Sequence, residues 1–173
     1  IKSIKHVLKR GDVVGLYPEA RYSPCGITSF IPESLGKLVK SCKVPVVVVI
    51  HRGNHLYTPF WNFRKKRKVP FHTTIKQVLT VEQIDKMSVE EINTVLKQEF
   101  TYDEYKYQKE NNILITEKYR AENLHKILYQ CPHCLSEHKM SSQGTEVFCE
   151  ACGKRWNLNE DGSLLAFSGD TEF

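Results

Sequence analysis

Apolar residues recur along the first half of the chain in two alternating rhythms. Over residues 1–10, Ile4, Val7 and Leu8 fall on one helical face, and Gly11 supplies a stop. Residues 12–17 (DVVGLY) are a short apolar run closed by Pro18, which predicts a buried strand. A polar loop follows over 19–28. Leu35, Leu38 and Val39 return to helical spacing across 32–42, with Lys37, Lys40 and Lys43 on the outside. Residues 44–50 (VPVVVVI) are β-branched almost throughout and predict a second buried strand. Helix, strand, loop, helix, strand is the order of a βαβ unit, with a parallel pair and a right-handed crossover.

The rhythm breaks over 51–67, which is irregular, rich in aromatic and then in basic residues. A strand-like pattern resumes over 68–80. Ser88 is a good helix N-cap, and Glu91, three residues on, completes a capping box ahead of Ile92, Val95, Leu96 and Phe100. Thr116 starts a further predicted helix to Leu128, with Tyr119, Leu124, Ile127 and Leu128 as its apolar positions. No internal repeat or low-complexity tract interrupts this order. The boundary is placed near Tyr129, giving an α/β domain at 1–128, a small β module at 129–158 and a tail at 159–173.

Composition narrows the class. Of 173 residues, 40% are hydrophobic and 26% charged, as in a globular protein. The longest apolar run is far short of the roughly 20 residues a membrane-spanning helix needs. Lys2, Lys5, Lys9 and Arg10 interrupt any secretory signal. The chain opens on Ile1 rather than Met, and a longer or processed protein is expected around it. A formal charge of +5 is too modest to argue for nucleic acid by itself.

Cysteine spacing carries the most specific chemistry. Cys131-Pro-His-Cys134 is followed, fourteen residues later, by Cys149-Glu-Ala-Cys152-Gly153. A structural zinc takes four soft or borderline ligands in a tetrahedron, and each CxxC turn aims two sulfurs at one point. Cys131, Cys134, Cys149 and Cys152 are therefore the expected ligands of a structural Zn2+ in a zinc ribbon. Such an ion would hold together a module too small to bury a core of its own. Clustered cysteines of this kind point to a reducing, intracellular compartment rather than a disulfide framework.

The segment Tyr17-Pro18-Glu19-Ala20-Arg21-Tyr22-Ser23, with Gly26 three residues beyond, resembles the third motif (FPEGTRS) of the 1-acyl-sn-glycerol-3-phosphate acyltransferase family. Val44-Pro45-Val46-Val47-Val48-Val49-Ile50 resembles that family's fourth motif, VPVVPV. The resemblance implies an α/β fold of the acyltransferase type, a mixed sheet with flanking helices, of which this chain holds the back half. It implies acyl transfer from acyl-CoA or acyl carrier protein to a lysophospholipid or glycerol-phosphate hydroxyl. Glu19, Arg21, Ser23 and Gly26 are the implied acceptor-binding residues, since an arginine grips phosphate through charge-assisted bonds. The family's catalytic His and Asp form an HxxxxD motif. None of the seven histidines here has an aspartate five positions on, so both are expected upstream. Ala20 replaces the motif's glycine, Arg21-Tyr22 stands where the family has Thr-Arg, and Val48 replaces the second proline of VPVVPV.

Residues 57–72 (YTPFWNFRKKRKVPFH) combine aromatics with five adjacent cations. Trp61, Arg64, Lys65, Lys66 and Arg67 are the expected contacts with an anionic membrane surface. The resulting expectation is a cytoplasmic protein, peripheral at the membrane, with nucleic acid a less favoured partner. The competing reading is a non-catalytic zinc-ribbon module that binds nucleic acid or a protein.

Overall fold

The N-terminal amphipathic pattern folds as a helix over Lys2–Lys9 (α1), and the next as Ser34–Cys42 (α2). The computed structural model describes residues 1–169. The valine-rich run forms Val46–Arg52 (β1), which pairs with His72–Leu79 (β2) in a two-stranded sheet. Between them lie a short helix, Asn54–Tyr57 (α3), and a 3-10 turn, Phe60–Asn62. Val81–Lys86 (α4), Val89–Phe100 (α5) and Glu104–Glu110 (α6) follow, and then a 3-10 turn at Leu124–Lys126. Met140–Gln143 (β3), Glu146–Cys149 (β4), Arg155–Leu158 (β5) and Leu164–Ala166 (β6) complete the described chain as an antiparallel meander.

Packing separates these elements into two units. The first comprises Ile1–Ser23, Ile27–His51 and Thr73–Tyr102; the second comprises Pro24–Gly26, Arg52–His72 and the described residues from Asp103 onward.

In the first unit, Val39, Leu79, Ile84, Ile92 and Leu96 form the core. The capping box expected at α5 is present: Ser88 Oγ accepts from Glu91 N at 3.1 Å, and Glu91 Oε2 accepts from Ser88 N at 2.7 Å. A second box, Thr80 with Gln83, starts α4. Asn93 ties α5 to α2 by accepting from Gly36 N at 2.8 Å and donating to Glu33 O at 2.9 Å. The Lys40 ammonium caps the end of α4, reaching Ile84 O at 2.7 Å and Met87 O at 2.6 Å.

Four expectations are corrected. Residues 12–17 form no strand, so the parallel pair predicted with 44–50 is absent. Val13 is 92% exposed and Tyr17 91%; with no strand beside it, the segment has no ladder to join. Residues 116–128 are turns rather than a helix. Ala121 N donates to Gly144 O at 3.0 Å instead of to Glu117 O, which receives Arg120 N. Asn123 then adopts φ 67°, a left-handed backbone that ends any helical run. Packing does not divide at Tyr129, because Trp61, Ala121 and Leu124 share one core with Cys131, Val147, Cys149 and Trp156. Finally, the tail at 159–173 contributes strand β6, which pairs with β5; its last residues, 170–173, lie outside the described ones.

The fold class is thus mixed α/β with two small sheets and several helices. The two-stranded sheet is only partly covered. Val47 and Val49 on β1 and Ile75 on β2 all remain exposed.

Leu56, fully buried in the second unit, is gripped at both backbone groups. Its N–H donates to Glu104 Oε1 at 3.2 Å, and its carbonyl accepts from Arg67 Nη1 at 3.4 Å. The neighbouring His55 imidazole packs edge-on against Trp61, with ring centroids 5.2 Å apart. Burial first, and then the Arg67 charge, hold its pKa down at about 4. The folded state therefore favours neutral His55. Stability from this group is intact above the unfolded value of 6.5 and is lost as pH falls toward 4. The loss should approach about 3 kcal/mol. Denaturant titrations between these limits should show a pH slope that is smaller in His55→Phe.

Candidate metal centre

Two tight turns with the same hydrogen-bond pattern build the cysteine cluster. In the first, Leu135 N donates to Cys131 O at 2.9 Å and Cys131 N donates to Ser136 O at 3.0 Å. In the second, Gly153 N donates to Cys149 O at 2.9 Å and Cys149 N donates to Lys154 O at 2.9 Å. Each turn needs a left-handed residue just after its second cysteine. Gly153 supplies it at φ 75° without strain, whereas Leu135 supplies it at φ 60° against its own Cβ.

The turns bring four sulfurs to one point. Cys131 Sγ lies 3.8 Å from Cys152 Sγ, and Cys134 Sγ lies 3.7 Å from Cys149 Sγ. All four lie within 4.8 Å of one another. With zinc–sulfur bonds of about 2.3 Å, the edge of an ideal tetrahedron is about 3.8 Å, so the donor set fits Zn2+. The Ser136 hydroxyl and backbone N–H beside Cys134 push its thiol down to about 6, while burial pushes the Cys131 thiol up. A fully ligated ion of this kind has no open position for water, so the centre suits structural rather than catalytic use. Cys131 and Cys149 are buried in the same core as Trp156 and Val147. His133 lies outside this cluster, and His138 stacks on Tyr129 with centroids 5.3 Å apart.

The four expected metal ligands are thus the residues brought together. Ser136 and Lys154, which close the turns through their backbones, were passed over in the sequence. The repeat of CxxC followed by two further residues was the available signal.

In the first unit, Glu19 and Arg21 converge on Ser29. Glu19 Oε2 accepts from Ser29 N at 3.2 Å, and Arg21 Nε donates to Ser29 Oγ at 3.1 Å. Between them Ala20 adopts φ 53°, in the region where glycine is at ease. Its N–H donates to Tyr17 O at 3.0 Å, closing a turn. Ser23 Oγ both donates to Ile27 O at 2.8 Å and accepts from Ile27 N at 3.1 Å. Gly26 belongs to the second unit and has a packing reason to be glycine. A Cβ there would come within 2.8 Å of the His55 ring and 3.0 Å of Glu104 Cβ.

Of the five expected membrane-contact residues, two turn inward. Trp61 is 7% exposed within the core, and Arg67, 3% exposed, donates to Arg120 O at 2.6 Å. Arg64, Lys65 and Lys66 remain exposed. Among the described residues, no helix is long and apolar enough to cross a membrane.

Comparison with family models, curated proteins and solved structures finds no match to this chain.

Metal analysis of the purified protein should give one zinc per chain, and Cys149→Ser should lose most of it. Chelation should abolish hydrogen-exchange protection in β3–β5 while α5 retains its own. Gly153→Ala should cost about 1–2 kcal/mol in chemical denaturation of the zinc-loaded protein. Its added Cβ meets nothing within 4 Å, so the cost is conformational alone.

Proposed function

We propose that this chain is part of a glycerolipid acyltransferase. In this reading it transfers an acyl group from acyl-CoA or acyl carrier protein to the hydroxyl of a lysophospholipid or glycerol phosphate. The observation that carries the reading is the loop at 17–23. Its sequence resembles the third acyltransferase motif, and Ala20 adopts a positive φ where that motif has glycine. The turn therefore has the shape that the motif's glycine would serve, although this chain lacks the glycine itself.

The roles follow from the chemistry of the side chains. Arg21 is exposed and presents a guanidinium suited to an acceptor phosphate. Glu19 and Ser29 position it: the carboxylate fixes the Ser29 backbone, and the Ser29 hydroxyl accepts from Arg21. The general base that takes the acceptor's proton, and the aspartate that orients it, belong to an HxxxxD motif outside residues 1–173. The uncovered sheet supports this division. Two strands with exposed valines and an isoleucine form a marginal sheet alone and call for further elements to complete it. Zinc in the four-cysteine site would stabilise the second unit without entering the reaction.

The test is an acyl-transfer assay on the full gene product, following thiol release from acyl-CoA. Release should depend on a phosphate-bearing acceptor. Arg21→Ala should raise the acceptor KM about tenfold or more, consistent with loss of a charge-assisted grip. Glu19→Ala should lower kcat/KM through the displaced arginine. No release with any donor or acceptor, from folded protein carrying zinc, would sink the reading in favour of a zinc-ribbon binding module.

A further inference from the structure

The loop between Pro59 and Val69 in the second unit is fixed from within. Pro59 and Val69 are themselves buried at its two ends. Trp61 is buried in the core shared with Ala121, Leu124 and Trp156, and Arg67 is buried with its guanidinium 5.6 Å from the Trp61 ring centre. Asn62 N donates to Pro59 O at 2.9 Å, Lys65 N to Asn62 O at 3.2 Å, and Arg67 N to Tyr57 O at 2.9 Å. Two of the loop's largest side chains thus point inward and the backbone is pinned at three places.

That anchoring leaves other side chains outside. Phe60 is 49% exposed and Phe63 66%. Arg64, Lys65, Lys66 and Lys68 are exposed as well. Lys65 is paired with Glu122 at 2.5 Å, and the Lys66 ammonium lies 5.9 Å from the Tyr57 ring centre. No ion pair engages Arg64, Lys66 or Lys68 among the described residues. Two phenylalanines with no polar handle would be a liability in water. The exposed cations beside them in the same loop would attract phosphate.

We propose that this pre-formed loop docks the protein on an anionic lipid bilayer. Phe60 and Phe63 enter the headgroup and acyl boundary, while Arg64, Lys66 and Lys68 hold lipid phosphates. The chemistry separates this occupant from a nucleic acid. Sequence-tolerant strand binding tracks a backbone along a charged groove several nucleotides long. Here the cations and rings occupy a single nine-residue loop, Phe60 to Lys68, a point of attachment rather than a track. Phenylalanine gains from hydrocarbon, and cations near an anionic surface add to it independently. The proposal deepens the acyl-transfer reading by naming the surface that would deliver the acceptor, but its physics does not depend on that reaction.

The test is sedimentation of the full protein with vesicles of phosphatidylcholine, with and without one-third phosphatidylglycerol, in the absence of any acyl donor. Binding should require the anionic lipid and weaken in high salt. Arg64→Gln with Lys66→Gln should lower the partition coefficient about 25-fold, at roughly fivefold per cation. Phe60→Ser with Phe63→Ser should lower it at least about tenfold with the salt dependence unchanged. Unaltered zinc content would show that both variants fold. Failure to bind anionic vesicles, or binding that both variants retain, overturns the proposal. So does tight single-stranded nucleic-acid binding that the same variants abolish while vesicle binding is absent. Acyl transfer to a soluble short-chain acceptor, measured alongside, would survive such a failure and keeps the two ideas separable.

Discussion

Four sulfurs held within 4.8 Å of one another set the terms for the second unit. As thiolates they would repel strongly, and a divalent cation between them would remove that repulsion. Because Cys131 and Cys149 are core residues beside Trp156 and Val147, metal coordination there would act on the same residues as hydrophobic burial. The core also reaches to Trp61, Ala121 and Leu124, so an ion bound by the cysteines would link the ordering of three separated chain segments.

The first unit is held differently. Its core is aliphatic, and its helices are set by caps and by polar ties such as Asn93 to Gly36 and Lys40 to the carbonyls ending α4. What it lacks is cover for its strands. The exposed Val47, Val49 and Ile75 are the residues that further sheet or helix would bury, and the extended segment at 12–17 stands unpaired in the same unit. The loop at 17–23 follows that segment directly. Its Glu19 and Arg21 are positioned by local bonds to Ser29, so their geometry depends on neighbours in sequence rather than on the sheet.

Local signals were legible in the sequence wherever they were also decisive. The Ser88–Glu91 capping box and the helical spacing at 32–42 appear as read, since neighbours in sequence satisfy them. The CxxC pairs converge as read because tetrahedral coordination leaves few alternatives. The errors arose where distant partners took over. Helical spacing at 116–128 was overridden when Gly144 O took the backbone N–H of Ala121, while the Arg120 guanidinium reached Leu158 O. The apolar run at 12–17 needed a neighbouring strand that residues 1–169 do not supply. Trp61 and Arg67 looked like surface residues beside their exposed neighbours, and only the shared core revealed that they point inward. The Ala20 conformation had a faint sequence trace, in that a glycine stands there in the motif the loop resembles.

The chain has two tryptophans, and both lie in the core that contains the cysteine cluster. Indole emission excited at long wavelength therefore comes from the second unit alone; the first, with tyrosine but no tryptophan, is dark at that wavelength. The fold has a built-in optical label on one of its halves. Melting the first unit should leave the emission maximum in place. A red shift reports that the sulfur-lined core itself has opened to water.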